Sequence, residues 1–325
     1  MTRAIITGGA GFIGSHLCER LLEMGWKVVC VDNLYTGSIQ NIKHLLDKKN
    51  FTFVETDVER FWDKGKPDYI FHLASPASPK DYMLLSEETL SANTIGTYKM
   101  LHLAGHIDAT MIYASTSEVY GDPLEHPQKE TYYGNVNSFG SRSCYDEGKR
   151  CGEAFCKVFS DTGVNVKVAR IFNTYGPRMR ENDGRVIPNF ITQALRGDPL
   201  TIYGGDQTRS FCFVDDMVEG LIKIALEGKN GEVYNVGNPN EMKISKLAST
   251  INFNMGLKNE ATYTDMPMDD PKRRCPDITK IKKIGWKPTI NLEDGLKKTI
   301  EYFKKETSYQ TGQKLDSKTS SLDPK

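Results

Sequence analysis

The sequence predicts an α/β protein, a parallel sheet covered by helices on both faces and joined to a smaller mixed C-terminal lobe. Apolar runs of strand length recur through the first half of the chain, the spacers between them are long enough to hold crossover helices, and glycines cluster directly behind the first run. That first run, residues 4–7 (AIIT), meets GGAGFIG and then LCERLLEMG, where Leu17, Leu21, Leu22 and Met24 form a helical stripe stopped by Gly25. A second run, Val28 to Val31, ends at Asp32. The rhythm continues through FTFVETD at 51–57, YIFHLA at 69–74, TMIYAS at 110–115 and VKVARIF at 166–172.

After Asn173 the character changes. GPRMRENDGRVIPNF is rich in glycine, proline and charge, which suits a substrate loop leading into the helix of ITQALRG. The later runs LTIYG, SFCFVDD, EVYNVG and the segment near KIGWKP are shorter and scattered. The expected organisation is a nucleotide-binding domain over 1–173 and mainly a smaller substrate lobe over 174–306. Within that lobe the FVDDMVEGLIKIAL helix is the candidate to pack back on the first domain. Residues 307–325 read as a disordered polar tail, because almost nothing apolar there repays ordering entropy.

Composition narrows the function classes. The 325 residues carry 42 Lys plus Arg against 42 Asp plus Glu, so no broad positive field steers the chain to nucleic acid or anionic lipid. No stretch approaches the length of a membrane span, and the N-terminus lacks the pattern of a signal peptide. Seven cysteines form no CxxC pair and, with His16, His72 and His126, no ligand cluster. The expectation is a cytoplasmic protein with reduced thiols and no metal. Cys144, beside Tyr145, reads as a packing residue.

The glycines Gly8, Gly9, Gly11 and Gly14 stand where a strand passes into a helix, the Rossmann-type position for a dinucleotide pyrophosphate. Asp32 ends the next strand, where a carboxylate accepts the adenosine ribose hydroxyls and repels a 2′-phosphate, favouring NAD over NADP. Phe12, Ile13 and Asn33 lie beside these residues and are counted with them. Asp57 and Val58 either flank adenine or make an ordinary turn, and Leu73 with Ala74 ends the fourth strand as a cofactor wall.

Tyr145 and Lys149 sit four residues apart in a helical sequence, so both face one side. A lysine there holds the nicotinamide ribose and lowers the effective pKa of the tyrosine, which then takes a hydroxyl proton as hydride leaves the substrate for NAD. Thr116 is placed to hydrogen-bond the same hydroxyl. Ser117 and Glu118, next to it, either orient the sugar and move protons or cap a loop.

The motifs TGGAGFIGSHL, HLASPASPKDY, STSEVYGDP, CYDEGKR, ARIFNTYGPRM, NDGRVIPNF and QTRSF…VDD together resemble the extended short-chain dehydrogenase/reductase family over residues 2–300, and within it the UDP-glucuronate decarboxylases. The resemblance implies that bound NAD oxidises C4 of UDP-glucuronate, that CO₂ leaves from the resulting β-keto acid, and that the hydride returns to give UDP-xylose. In related nucleotide-sugar 4,6-dehydratases the catalytic threonine is followed by aspartate and glutamate. Thr116, Ser117 and Glu118 lack that aspartate, which disfavours dehydration. The resemblance also implies that Arg274 enters the site near the substrate carboxylate, with Arg273 its rival. By the same resemblance Asn173 and Arg209 would meet the diphosphate, and Arg185 lies in the loop of the same lobe. Tyr82 either closes over the sugar or packs as core. Relatives pair as homodimers through two long helices, one of them carrying Tyr145. A nucleotide-sugar 4-epimerase or a 4,6-dehydratase-like oxidoreductase is the alternative activity, since it shares the same redox residues.

Overall fold

A computed structural model describes residues 1–205, 207–265 and 273–319. Six strands follow one another as the hydrophobic runs predict: β1 (Arg3–Thr7), β2 (Lys27–Asp32), β3 (Phe51–Glu55), β4 (Tyr69–His72), β5 (Thr110–Thr116) and β6 (Val166–Ile171). They lie parallel in the order β3-β2-β1-β4-β5-β6, and the Val233–Val236 strand adds a seventh beside β6. Ile5 of β1 is in register with Val29 on one side and Ile70 on the other. The strand order reverses direction between β1 and β4, so a crevice opens at the C-terminal ends of these two strands.

Side-chain alternation builds two cores. Ala4, Ile6, Val28, Cys30, Phe71 and Ile112 pack with Leu17 and Leu21 of the Phe12–Glu23 helix and with Leu221 and Ile224 of the Val214–Glu227 helix. Ile5, Val29, Val31, Ile70, Met111 and Tyr113 face the other way, onto Met100, Leu101 and Ala104 of the Thr97–Ile107 helix and Cys156 of the Ser143–Asp161 helix. Strands buried on both faces explain why β1, β2 and β5 read as nearly unbroken apolar runs.

Segments beyond residue 173 complete the main sheet and its helical cover. The Val214–Glu227 helix packs on the sheet, and so does EVYNVG, one of the short runs within 174–306. With Tyr234, Asn235 and Val236 buried and parallel to β6, this segment completes the main sheet. Four residues bounded by turns are too short to reveal their sheet from pattern alone. The final helix spans Leu292–Thr319. Leu296, Ile300 and Phe303 anchor its first half in the core, and the lysines, glutamate and glutamine that follow are good helix formers.

The lobe itself holds short pairings. Thr208–Ser210 lies between Glu241–Lys243 and Arg273–Arg274, and Leu200–Tyr203 pairs with Ala261–Thr264. Among the described residues no helix is long and apolar enough to cross a membrane.

Candidate active site

The crevice is a cleft of about 1110 Å³, and the residues singled out from the sequence for cofactor, chemistry or substrate line it, apart from Gly9 and Arg273. At the floor, Gly8 turns with φ +71°, and a Cβ there would come within 2.8 Å of the Ala74 nitrogen and the Leu73 carbonyl carbon. A Cβ at Gly14 would run into the Gly8 carbonyl oxygen. The turn is therefore closed to any side chain on two sides. Gly11 then opens the Phe12–Glu23 helix with no side-chain cap and no acid in the first turn, leaving its N–H groups for an incoming anion.

Asp32 is buried at the end of β2. Its carboxylate accepts the N–H of Ala10 and of Leu34, each at 2.9 Å. Burial raises its pKa, and these backbone bonds oppose the rise. Asn33 donates to Asp57 at 3.0 Å, which ties two of the expected adenosine-side residues together. Beneath them His72 bridges Thr7 (2.7 Å) and Thr97 (3.1 Å), and Ala74 donates its N–H to the Thr7 hydroxyl at 3.3 Å. Burial, with the Lys149 charge, drives the His72 pKa down to about 3, so this imidazole is a neutral brace. Among the described residues no group of histidines, cysteines and acids is arranged to hold a metal.

Thr116 ends β5, and Tyr145 and Lys149 come from the first turns of the Ser143–Asp161 helix, both buried. Lys149 Nζ donates to the Ala114 carbonyl at 2.8 Å and lies 5.8 Å from the centre of the Tyr145 ring. Burial pulls its pKa down to about 7. Burial also raises the Tyr145 phenol, a rise opposed by its hydrogen bond with Thr116. The expected triad is thus assembled. Tyr82 is 1% exposed and stacks on Tyr145 with ring centres 4.9 Å apart and planes 8° from parallel. It is packed as core and at the same time contacts Tyr145.

Glu118 occupies the far side. Arg274 grips both its oxygens, one contact measuring 2.8 Å, and Arg142 donates to Oε2 at 2.7 Å. Burial alone would raise this carboxyl, but the charges of Arg274 and Arg142 hold it below its usual range. The structure separates the two rival arginines: Arg274 is 4% exposed and faces the cleft, whereas Arg273 is exposed. Arg142 and Asp146 are additional residues that sequence reading passes over. Asp146, next to Tyr145, is raised to about 7 by burial and by the Glu118 charge. The available signal was their position at the start of the helix that carries Tyr145 and Lys149.

The remaining expected substrate residues reach the cleft with different partners. Arg185 pairs with Asp183, one contact at 2.6 Å, and lies 5.8 Å over the Phe12 ring. Arg209 donates to the Thr208 carbonyl at 2.9 Å, and the Asn173 carbonyl accepts the N–H of Cys212 at 2.9 Å. Cys144 donates to the Tyr82 carbonyl at 3.3 Å, and burial raises its thiol, in keeping with a packing role.

Residues 4–237 match the NAD dependent epimerase/dehydratase family. The chain is 50% identical over 312 residues to UDP-glucuronic acid decarboxylase 1 of Xenopus tropicalis, covering 95% of this chain and 73% of that one. Among solved structures it is similar to a UDP-glucose 4-epimerase from Thermotoga maritima with UDP-glucose, at 31% identity and a TM-score of 0.86, covering 94% of this chain and 100% of that one. It is also similar to a UDP-glucuronic acid 4-epimerase from Bacillus cereus in complex with UDP-glucuronic acid and NAD, at 28% identity and a TM-score of 0.84, with coverage of 94% and 100%.

Proposed function

The chain belongs to the NAD dependent epimerase/dehydratase family and, within it, to the UDP-glucuronic acid decarboxylases, and on that premise we propose that it converts UDP-glucuronate to UDP-xylose and CO₂ with NAD regenerated in each cycle. The observation that carries this reading is the Glu118–Arg274 pair beside Thr116 and Tyr145, a guanidinium brought from the second lobe to the place where a sugar carboxylate would lie.

The cradle fits NAD. A turn closed to side chains at Gly8 and Gly14, the uncapped helix start with Phe12 and Ile13, and the Asp32 carboxylate match a pyrophosphate and a ribose without a 2′-phosphate. Asn33, Asp57 and Val58 flank the adenosine end, and Leu73 and Ala74 form the wall. When bound, NAD supplies a reversible hydride acceptor for C4 of the sugar.

The protein's own residues handle the protons and the charge. Tyr145 Oη takes the proton of the C4 hydroxyl, Thr116 Oγ1 orients that hydroxyl, and Lys149 Nζ stabilises the phenolate. Burial works against the phenolate in Tyr145, so its base form depends on a charged Lys149, and a lysine near 7 gains that charge readily beside an anion. Once C4 is a ketone, the C5 carboxylate is a β-keto acid. Its carbon–carbon bond breaks, and the electron pair passes to the enolate. Arg274 holds the carboxylate, and Ser117 and Glu118 line the side from which C5 regains its proton. Asn173, Arg185 and Arg209 serve the diphosphate and the substrate loop.

The reading includes a homodimer formed through the Thr97–Ile107 and Ser143–Asp161 helices, whose outer faces carry the exposed Tyr98 and Val158. One preparation tests both parts. Incubation with UDP-glucuronate should give UDP-xylose by NMR, with CO₂ release and no net NAD consumption. UDP-galacturonate as product would transfer the chain to the epimerases, and a sedimentation mass near 36.6 kDa at micromolar concentration would reject the dimer.

A further inference from the structure

Glu118 is held from two bodies of the molecule. Arg274 reaches it from the two-residue strand Arg273–Arg274 in the smaller lobe, and Arg142 reaches it from the N-terminus of the helix that carries Tyr145 and Lys149. The two arginines are anchored differently. The Arg142 carbonyl accepts the N–H groups of Tyr145 and Asp146, each at 3.0 Å, and its guanidinium lies 5.9 Å over the Tyr82 ring, so its position is fixed with the reactive tyrosine. Arg274 is tied to the lobe through Arg209, its neighbour in register.

As described, both oxygens of Glu118 engage Arg274, and this guanidinium is the group assigned to the carboxylate of the substrate. It cannot present the same bidentate face to two carboxylates at once. Building on the decarboxylase reading, we propose that Arg142 is a positioning residue that keeps Glu118 paired while Arg274 exchanges Glu118 for the substrate carboxylate. Without that second bond, release of Arg274 would leave a buried carboxylate beside Asp146, and breaking a buried ion pair in this way is strongly unfavourable. Burial, and after it the charge of Glu118, raises the Asp146 carboxyl to about 7, in keeping with a pocket that resists further negative charge. Arg142 therefore governs selectivity for a sugar that carries a carboxylate, through Glu118, without touching that sugar.

The test measures calorimetric binding of UDP-glucuronate, UDP-glucose and UDP to the NAD-loaded chain, in a Tyr145→Phe background that stops turnover. With Arg142 intact, UDP-glucuronate should bind more tightly than UDP-glucose by about tenfold or more. Arg142→Gln should shrink that preference to roughly threefold or less, with the affinity for UDP kept, and Arg142→Lys should restore most of it. An unchanged preference in Arg142→Gln, or an equal loss of affinity for all three ligands, overturns the proposal, because a merely structural residue moves the three together. Absence of any preference while Arg142 is intact, with no UDP-xylose formed by the unmutated chain, overturns the decarboxylase reading itself. A tight preference in that control combined with failure of the Arg142 variants to change it removes only the positioning role.

Discussion

The two ends of the cleft are built by different means. The cofactor end is mostly backbone: a glycine turn behind β1, a helix start without a side-chain cap, and a carboxylate fixed by two N–H groups within a single βαβ stretch. The carboxylate end is mostly side chain: Glu118, Arg142 and Arg274 meet across separations of 24 and 156 residues. Backbone geometry is specified locally and tolerates little change, whereas a charged cluster is specified by the tertiary fold and can lose a member while the fold persists. Damage at the first end should show up in stability and cofactor content, and damage at the second in turnover.

Gly14→Ala is the severest probe of this contrast. Its methyl would meet the Gly8 carbonyl oxygen, and overpacking of this kind costs about 3 kcal/mol. The variant should purify without NAD and melt roughly 6 °C lower by calorimetry. Retention of NAD at the normal melting temperature would mean that the turn is less rigid than the cradle requires.

Arg274→Gln should do the opposite. Arg142 remains on Glu118, so the melting temperature should move by only a few degrees, while kcat/KM for UDP-glucuronate falls by about 100-fold. A loss of stability as large as that of Gly14→Ala would erase the distinction between the two ends.

The smallest effect belongs to His72, the brace under the cradle. Its pKa is about 3 in the folded chain against an ordinary 6.5, so the unfolded state binds more protons between these values. The contribution is full above pH 6.5 and is lost as pH falls toward 3. Between pH 7 and 5 the chain should lose about 2 kcal/mol through this group, a drop of roughly 4 °C or more. His72→Gln should melt lower at pH 7 yet fall less on acidification, and an equal fall in both proteins would remove the imidazole as the cause.

The same contrast explains what the sequence reveals. The glycine turn, Asp32, and Tyr145 with Lys149 one helical turn apart are local patterns whose chemistry follows from their spacing. Glu118 is legible beside Thr116, but its partners are not. Arg274 came from family resemblance, and its advantage over Arg273 needed the alternation of a two-residue strand. Arg142 was missed because its role depends on where the end of β5 lies. The place of the Val233–Val236 strand in the main sheet is hard to read for a related reason: about sixty residues separate it from its partner β6.

That strand also bears on synthesis. A chain leaving the ribosome presents β6 long before residues 233–236 exist, and at ordinary elongation rates the gap lasts several seconds. During that interval the outer edge of β6 is an open row of N–H and C=O groups, the kind of edge that invites pairing with another chain. The part of the smaller lobe that holds Leu200–Tyr203 and Thr208–Ser210 is in this sense an insertion between the last two strands of the sheet, and a fragment ending at residue 173 would keep the cofactor cradle but expose a sticky border that the longer chain covers only once residues 233–236 have emerged.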